Sequence, residues 1–351
     1  MINTDTSQTT TPTALQLFSP NIPRDPDTGK YIVRIDATST RYSVCFRKFW
    51  LNTLCGYRTP LMANDIEFGL AFHIFMKELE TSNGALAPSL EKAQDYFSTK
   101  PQFVKPNKTH LTREYLAEVC VKYATEVYSK DSLKTVKISD QPLVEHNFAI
   151  PVAITDYAEY ILCGTIDRIV RAGDSIALLD YKTTGQYAKR AVNFFLEKEL
   201  SNQLLTYTIA LRLLASEYLD TELGELFKHS PKCLIEGIFI PSGVTIEFKR
   251  SRFISFTDEQ LDEWMWSLNL LIKKIDAVFS GLGKIDREGM FNGSCTEKFG
   301  DLCPFFNACA APDDRAGAYI LNKGFISIPY DPLNFSKPIS LEDLAYSSAK
   351  R

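Results

Sequence analysis

Two strand-like runs, Glu159–Arg171 and Ser175–Lys182, meet at Gly173-Asp174, and this join constrains the chain more than any other feature. Gly-Asp is a good central pair for a two-residue hairpin turn. With Ala172 facing Ser175 across it, counting outward sets Asp167 directly opposite Asp180. A four-residue loop gives the same register, and an odd-length loop does not. Facing residues have Cβ atoms about 4.5–5.5 Å apart, so two carboxylates there repel unless a cation or a proton lies between them. Mg²⁺ or Mn²⁺, which prefer oxygen ligands, would resolve that conflict. Lys182 follows Asp180 by two residues and projects from the same strand face. Tyr181 turns to the opposite face, while its backbone carbonyl remains a candidate further ligand.

Two acids and an ammonium on one sheet face suit hydrolysis of a phosphodiester. A bound metal lowers the pKa of a water and polarises the phosphate, and a positioned lysine neutralises developing charge. Taken without its context, Asp-x-Lys is common at exposed strand ends, and two solvated aspartates on a surface hairpin are the plain alternative.

The remaining periodicities give an α/β order. Helical spacing runs through Thr40–Leu54, Asp65–Glu80, Leu90–Phe97 and Leu111–Tyr128, then again over Leu196–Leu219 and Asp258–Phe279, the last behind a Thr257 cap. Strand patterns cover Leu143–Ile150, the two hairpin runs, Cys233–Ile240 and Val244–Phe256. Residues 1–30 read as a loose tail, 31–310 as one domain and 311–351 as an extension, irregular with some strand character from Ser280 onward. Within the domain, about 65–130 is helical, about 142–280 forms the core, and 295–309 carries cysteines. No composition break marks an independent second domain.

A net charge of −4 does not advertise a polyanion binder, but phosphate contacts need only a local basic track. Arg41, Arg47 and Lys48, then Lys189 and Arg190, then Lys249, Arg250 and Arg252 are such clusters, each of which is also what an ordinary solvated surface looks like. No apolar run approaches the roughly 20 residues of a membrane span. The Thr-rich start has no signal-peptide character, so a cytoplasmic protein is expected. Eight cysteines in such a chain are not a disulfide framework. Cys55, Cys120, Cys163 and Cys233 sit in apolar segments and read as small core residues.

With these residues in view the sequence resembles a known family. Gly164-Thr165-Ile166-Asp167, then Leu178-Leu179-Asp180-Tyr181-Lys182, then Gln203 through Tyr207 are similar to the PD-(D/E)XK nuclease superfamily, in its RecB-like branch. Glu145 stands where that family has an acidic strand. Gly69 through His73 matches the helix that carries the branch's histidine. Cys45-Phe46-Arg47-Lys48-Phe49 matches its Cys-Pro-Arg-Lys-aromatic start, with Phe46 in place of proline. The resemblance implies a restriction-endonuclease-like central mixed β-sheet flanked by helices, with an N-terminal helical segment. It implies metal binding by His73, Asp167 and Asp180, a catalytic role for Lys182, and support of the lysine or the DNA strand by Gln203 and Tyr207. These last two, four apart on a helix, share a face; a helix surface touching the core would look the same. His110, His146 and His229 lack such context and read as structural or solvent-facing.

Some RecB-like exonucleases, of the CRISPR-associated and AddAB type, hold a [4Fe–4S] cluster with one cysteine before the core and three after it. Cys45 with Cys295-x7-Cys303-Pro-x4-Cys309 has that arrangement, although the seven-residue first interval is longer than the family's usual one. A tetrathiolate zinc site and free thiols are the other readings. The function expected is a metal-dependent DNA nuclease, an exonuclease of recombination, repair, phage replication or CRISPR spacer processing. Its partners would be DNA, through Arg47, Lys48, Lys189 and Arg190, and a helicase or a recombination or CRISPR protein. The alternative is a non-catalytic DNA-binding subunit that keeps the fold.

Overall fold

A computed structural model describes residues 18–333 apart from 60, 101, 139, 174, 200, 216–223, 225–226, 228–230, 297–301 and 323. His229, Asp174, the tail before residue 18 and the extension beyond 333 lie outside the described residues. In chain order the elements used below are β1 (Tyr31–Ile35), α1 (Ala37–Tyr42), α2 (Phe46–Phe49), α3 (Asn64–Thr81), α4 (Leu86–Thr99), α5 (Arg113–Glu126), β2 (Lys134–Thr135), β3 (Val144–Ile154), β4 (Ala158–Ala172) and β5 (Ser175–Thr184). There follow α6 (Ala191–Glu199), α7 (Asn202–Leu214), β6 (Lys232–Phe239), β7 (Glu247–Arg250), α8 (Asp258–Phe279), α9 (Glu288–Asn292), α10 (Phe306–Ala310) and α11 (Asp313–Asn322).

Seven strands form a mixed sheet in the order β1-β4-β5-β6-β7, with β2 and β3 also pairing β4. The chain divides into two compact units, one of residues 1–60, 152–161 and 269–351, the other of 61–151 and 162–268.

In the second unit β5 is the axis of the sheet. It pairs antiparallel with β4, from Ser175↔Ala172 to Leu179↔Arg168, which is the register the hairpin pattern predicts. Gly173 holds φ at +65° in the turn, a conformation that suits glycine. On its other edge β5 runs parallel to β6, from Ala177↔Lys232 to Thr184↔Phe239. A parallel neighbour requires a crossover, and α6 and α7 supply it. β6 then pairs antiparallel with β7, from Glu236↔Arg250 to Phe239↔Glu247.

Alternation along β5 separates two packing layers. Ala177, Leu179 and Tyr181 join Leu234 and Ile238 of β6 in one buried cluster with Phe68, Phe72, Phe75 and Leu79 of α3 and Leu116 and Tyr123 of α5. The α3 residues recur at helical spacing, which is why that helix buries one aromatic stripe. Each such ring contributes about 1.5–3 kcal/mol through burial. The other face of β6 meets the crossover helices. Thr208 of α7 bonds the Cys233 sulfur at 3.5 Å, and Phe194 and Phe195 of α6 flank Phe239 at centroid distances of 5.4 and 6.4 Å.

In the first unit Asp36 caps α1 by accepting from the Ser39 N–H at 2.8 Å, and it also accepts from the Tyr330 hydroxyl at 2.8 Å. Tyr31 stacks on Phe279 with centroids 4.6 Å apart. A second small core gathers Leu51, Phe305, Ile320 and Phe325.

Several expectations need correction. The helix expected over Thr40–Leu54 is α1, α2 and a π-turn at Trp50–Leu54, in which the Cys55 N–H donates to the Trp50 carbonyl. The single helix expected from Leu196 is two, since α6 ends at Glu199 and α7 begins at Asn202. The expected strand Val244–Phe256 is reduced to β7 and a bridge between Cys233 and Ile254. After Ser280 the irregular stretches also carry α9, α10 and α11, and strand is limited to Ile326–Ser327 and a bridge between Thr296 and Leu302. Apolar spacing alone does not show where a short helix is interrupted. Among the described residues no helix is long and apolar enough to cross a membrane.

Candidate active site

The hairpin delivers two buried acids. Asp167 is 6% and Asp180 3% exposed. The ladder between β4 and β5 ends at Leu179↔Arg168, one step short of the acids. Past that point the Tyr181 N–H donates to Asp167 Oδ2 at 2.8 Å, so a side chain takes over the strand's hydrogen bond. Lys182 Nζ donates to Asp180 Oδ1 at 2.6 Å, as their shared strand face requires.

His73, on α3, brings a third group. Its Nδ1 lies 3.0 Å from Glu145 Oε1 and 3.6 Å from Asp167 Oδ2. Its ring meets Tyr181 edge-on at 6.1 Å. His73, Glu145 and Asp167 each offer a ligand atom within 4.8 Å of the others. Sequence reasoning matched Glu145 to an acidic strand but gave it no role. Its backbone sits at φ +45° within β3. That region costs a non-glycine residue on the order of 1–3 kcal/mol and tends to persist where function holds it. Neither the strain nor the approach to His73 leaves a mark in the local pattern.

The electrostatics follow from burial. Burial pushes Asp167 above its ordinary value, against the lowering pull of His73 and Lys182. Burial and the Asp167 charge push Asp180 up to about 6, with Lys182 opposing. Burial alone would lower His73, but the Asp167 and Glu145 carboxylates outweigh it and raise the imidazole to about 9. A proton on His73 thus occupies the place between acids that a cation would fill. Burial lowers Lys182, and its acidic neighbours more than compensate, so it stays charged.

On α7, Gln203 Nε2 donates to the Tyr207 hydroxyl at 2.7 Å, one helical turn apart. Burial, then the charges of Asp167 and Asp180, hold the Tyr207 phenol well above its usual range, so it remains a hydroxyl. Gly164 makes room for this arrangement. A Cβ there would lie 2.9 Å from Phe148 Cζ and 3.6 Å from Tyr207 Cε1.

Arg168, next to Asp167 but on the other strand face, is buried in an ionic network. It pairs with Glu80 at 2.7 Å, donates to Thr135 Oγ1 at 2.8 Å and approaches Asp131 at 3.7 Å. Arg250 grips both Asp131 oxygens, at 3.0 and 2.9 Å, and Glu236 at 2.7 Å. The basic cluster of Lys249, Arg250 and Arg252 is therefore not an open track: Lys249 pairs with Glu247 and Arg252 with Glu199. Arg47 is also corrected, since it is buried with its guanidinium 4.6 Å from the Phe18 ring. Lys48 lies over Tyr42 at 4.8 Å. Lys189 and Arg190 are exposed. His110 is structural, with Nε2 at 3.2 Å from the Ile240 carbonyl. His146 also has interactions of its own.

Cys55, Cys120, Cys163 and Cys233 are buried and free. Cys45, Cys303 and Cys309 are buried and Cys295 half-buried, all in the first unit. The Cys303 N–H donates to the Cys295 carbonyl at 2.8 Å. Burial pushes Cys309 up to about 11; Arg47 opposes this, while Cys303, Cys45 and Cys295 add to it. Among the described residues these sulfurs do not form a group placed to hold a single metal ion. Thiolates around a single zinc ion would sit about 3.8 Å apart, given bonds near 2.3 Å, so no such site is preassembled.

The sequence matches the description of the PD-(D/E)XK nuclease superfamily over residues 38–310, and the chain belongs to that family. No curated protein matches it. Among solved structures it is similar to a protein of Eubacterium rectale named "Putative exonuclease", at 12% identity and a TM-score of 0.42, covering 73% of this chain and 85% of that one. A likeness that slight carries no argument about function.

Proposed function

We propose that the protein is a divalent-metal-dependent DNA nuclease that degrades strands from their ends. The observation that carries the proposal is the trio of His73, Glu145 and Asp167 within 4.8 Å, beside Asp180 and its partner Lys182. An imidazole and buried carboxylates form a donor set that fits Mg²⁺ or Mn²⁺. His73, Asp167 and Asp180 would hold the ion, with Glu145 orienting His73 or joining the shell. The Tyr181 carbonyl is a further ligand in this reading. Along a strand the N–H and C=O of one residue point to the same side, and the Tyr181 N–H faces β4, where the ladder has ended.

Bound there, the ion would lower the pKa of a water and polarise the scissile phosphate. Lys182, a full cation anchored on Asp180, donates to a phosphate oxygen as negative charge develops. Tyr207, kept protonated, and Gln203 beside it donate to the phosphate and fix the strand. Lys189, Arg190 and Lys48 supply charge to the backbone. Attack from ends follows the resemblance to the RecB-like branch, which also suggests a helicase, recombination or CRISPR partner protein and a cytoplasmic setting. A [4Fe–4S] cluster on Cys45, Cys295, Cys303 and Cys309 belongs to the same reading; it follows the resemblance, and the four cysteines share one unit. Iron and labile sulfide after anaerobic purification test it; zinc or neither rules it out.

A non-catalytic DNA-binding subunit is less well supported, because both acids and the lysine are present, with Lys182 bonded to Asp180. The deciding experiment digests end-labelled linear and circular DNA with Mg²⁺ or Mn²⁺, using wild type and Asp180→Ala. Cleavage of linear DNA by wild type alone is expected. Equal cleavage by the variant, or none by wild type in either metal, refutes the proposal.

A further inference from the structure

A cavity of about 720 Å³ opens in the first unit, and its rim includes Phe18, Arg24, Lys30, Tyr31, Asp156 and Tyr157. That volume lies within the range of small-molecule sites. Part of the lining is self-satisfied and forms a firm wall. Arg24 lies over the Tyr31 ring at 3.7 Å, Tyr31 stacks on Phe279 at 4.6 Å, and Trp50 meets Phe279 edge-on at 5.7 Å. The Trp50 indole N–H donates to the Phe18 carbonyl at 2.8 Å, which fixes the opposite lip.

Three side chains on this rim remain unspent. Tyr157 is 41% exposed, and among the described residues its ring has no stacking partner. Among the same residues the Lys30 ammonium and the Asp156 carboxylate have no hydrogen-bond or ion-pair partner. Their segments are joined: the Tyr31 N–H donates to the Tyr157 carbonyl at 2.9 Å, and both side chains line the cavity. A free aromatic face, a free cation on the same rim as Arg24, and a carboxylate acceptor together match one ligand chemistry.

We propose that this cavity binds a nucleotide unit. The base stacks on Tyr157, the phosphate lies at Lys30 and Arg24, and Asp156 accepts from an amino group on the base edge. A purely apolar ligand would leave two ions unsatisfied, and a bare anion would leave the aromatic face unused and meet Asp156. The nucleotide comes from solution or from a single strand of DNA. The second source rests on the nuclease reading given above.

The test uses the full chain in EDTA, titrated with dGMP, with inorganic phosphate and with a mixed-sequence single-stranded oligonucleotide. The proteins are wild type, Lys30→Ala/Tyr157→Ala and Asp180→Ala. Wild type and Asp180→Ala should bind dGMP alike, and the double variant should lose about tenfold or more in affinity, as removal of one stacked base contact does. Saturation by dGMP assigns a free nucleotide, and binding of the oligonucleotide alone assigns a strand. Unchanged affinity in the double variant overturns the site, and so does phosphate competing as well as dGMP. Cleavage assayed on the same proteins with Mn²⁺ separates the two readings. Binding lost only in the double variant, without any cleavage, leaves this site standing and removes the nuclease.

Discussion

The backbone N–H of Tyr181 donates to the side chain of Asp167 at 2.8 Å, where a strand would ordinarily bond its neighbour's carbonyl. The hairpin thus stops pairing at the level where its two acids meet, and one acid is fixed by the strand that carries the other.

Asp180→Asn should abolish cleavage, lowering the rate by about 10²–10³ or more, and should stabilise the metal-free protein. Its carboxyl is buried and pushed up to about 6, with Asp167 opposing ionisation. Removing that conflict is worth about 1 kcal/mol at neutral pH. Calorimetry in EDTA should show melting raised by about 2 °C. An unchanged or lower melting temperature contradicts the electrostatic account.

Metal affinity should rise with pH up to about 9. The His73 imidazole is held near that value by Asp167 and Glu145, and it must lose its proton to bind metal. Glu145→Gln removes one raising charge, so the pH at which affinity levels off should fall. Loss of a ligand's hydrogen-bonding partner should also weaken Mn²⁺ binding by about 10–100-fold. Calorimetric Mn²⁺ titrations at several pH values read both effects, and a pH-independent affinity excludes His73 as a ligand.

Gly164→Ala should destabilise the protein by about 1–3 kcal/mol, because its Cβ would lie 2.9 Å from the buried Phe148 ring. Tyr207, 3.6 Å from the same point, should shift with it. Denaturant unfolding and the cleavage rate should fall together; loss of neither shows that the ring has room to move.

Asp131 should govern acid stability. Burial raises its carboxyl, but bonds from Arg250 and the Leu133 N–H, with the charges of Arg250 and Arg168, bring it below its ordinary value. A depressed folded pKa gives stability that is present above about pH 4 and lost as pH falls further. Asp131→Asn should flatten the acid limb of a stability–pH curve below that point, and an unaltered limb assigns the loss to other carboxylates.

Much of this arrangement is legible in the sequence because a strand has a period of two. Once Gly173 marks the turn, the facing of residues 167 and 180 and the shared face of Asp180 and Lys182 follow by counting. Gln203 and Tyr207 follow likewise from helical spacing. Glu145 does not follow, since its place depends on a backbone angle that strand-forming residues avoid. Nor does the ion-pair network: Arg250 and Arg252 look like surface charge until Asp131, Glu236 and Glu199 are seen around them. The break between α6 and α7 falls in a stretch whose apolar spacing continues through it.

Arg168 and Asp167 are adjacent, yet each belongs to a separate set of charges on opposite sides of one strand. Were β4 to slide by a single residue against β5, the guanidinium would enter the acid cluster and the carboxylate would be forced among Glu80 and Asp131. Both sides would then hold mismatched ions away from water. The hairpin is therefore proofread twice, and an insertion beside Gly173 would be punished on both faces at once even though the turn itself could accommodate it.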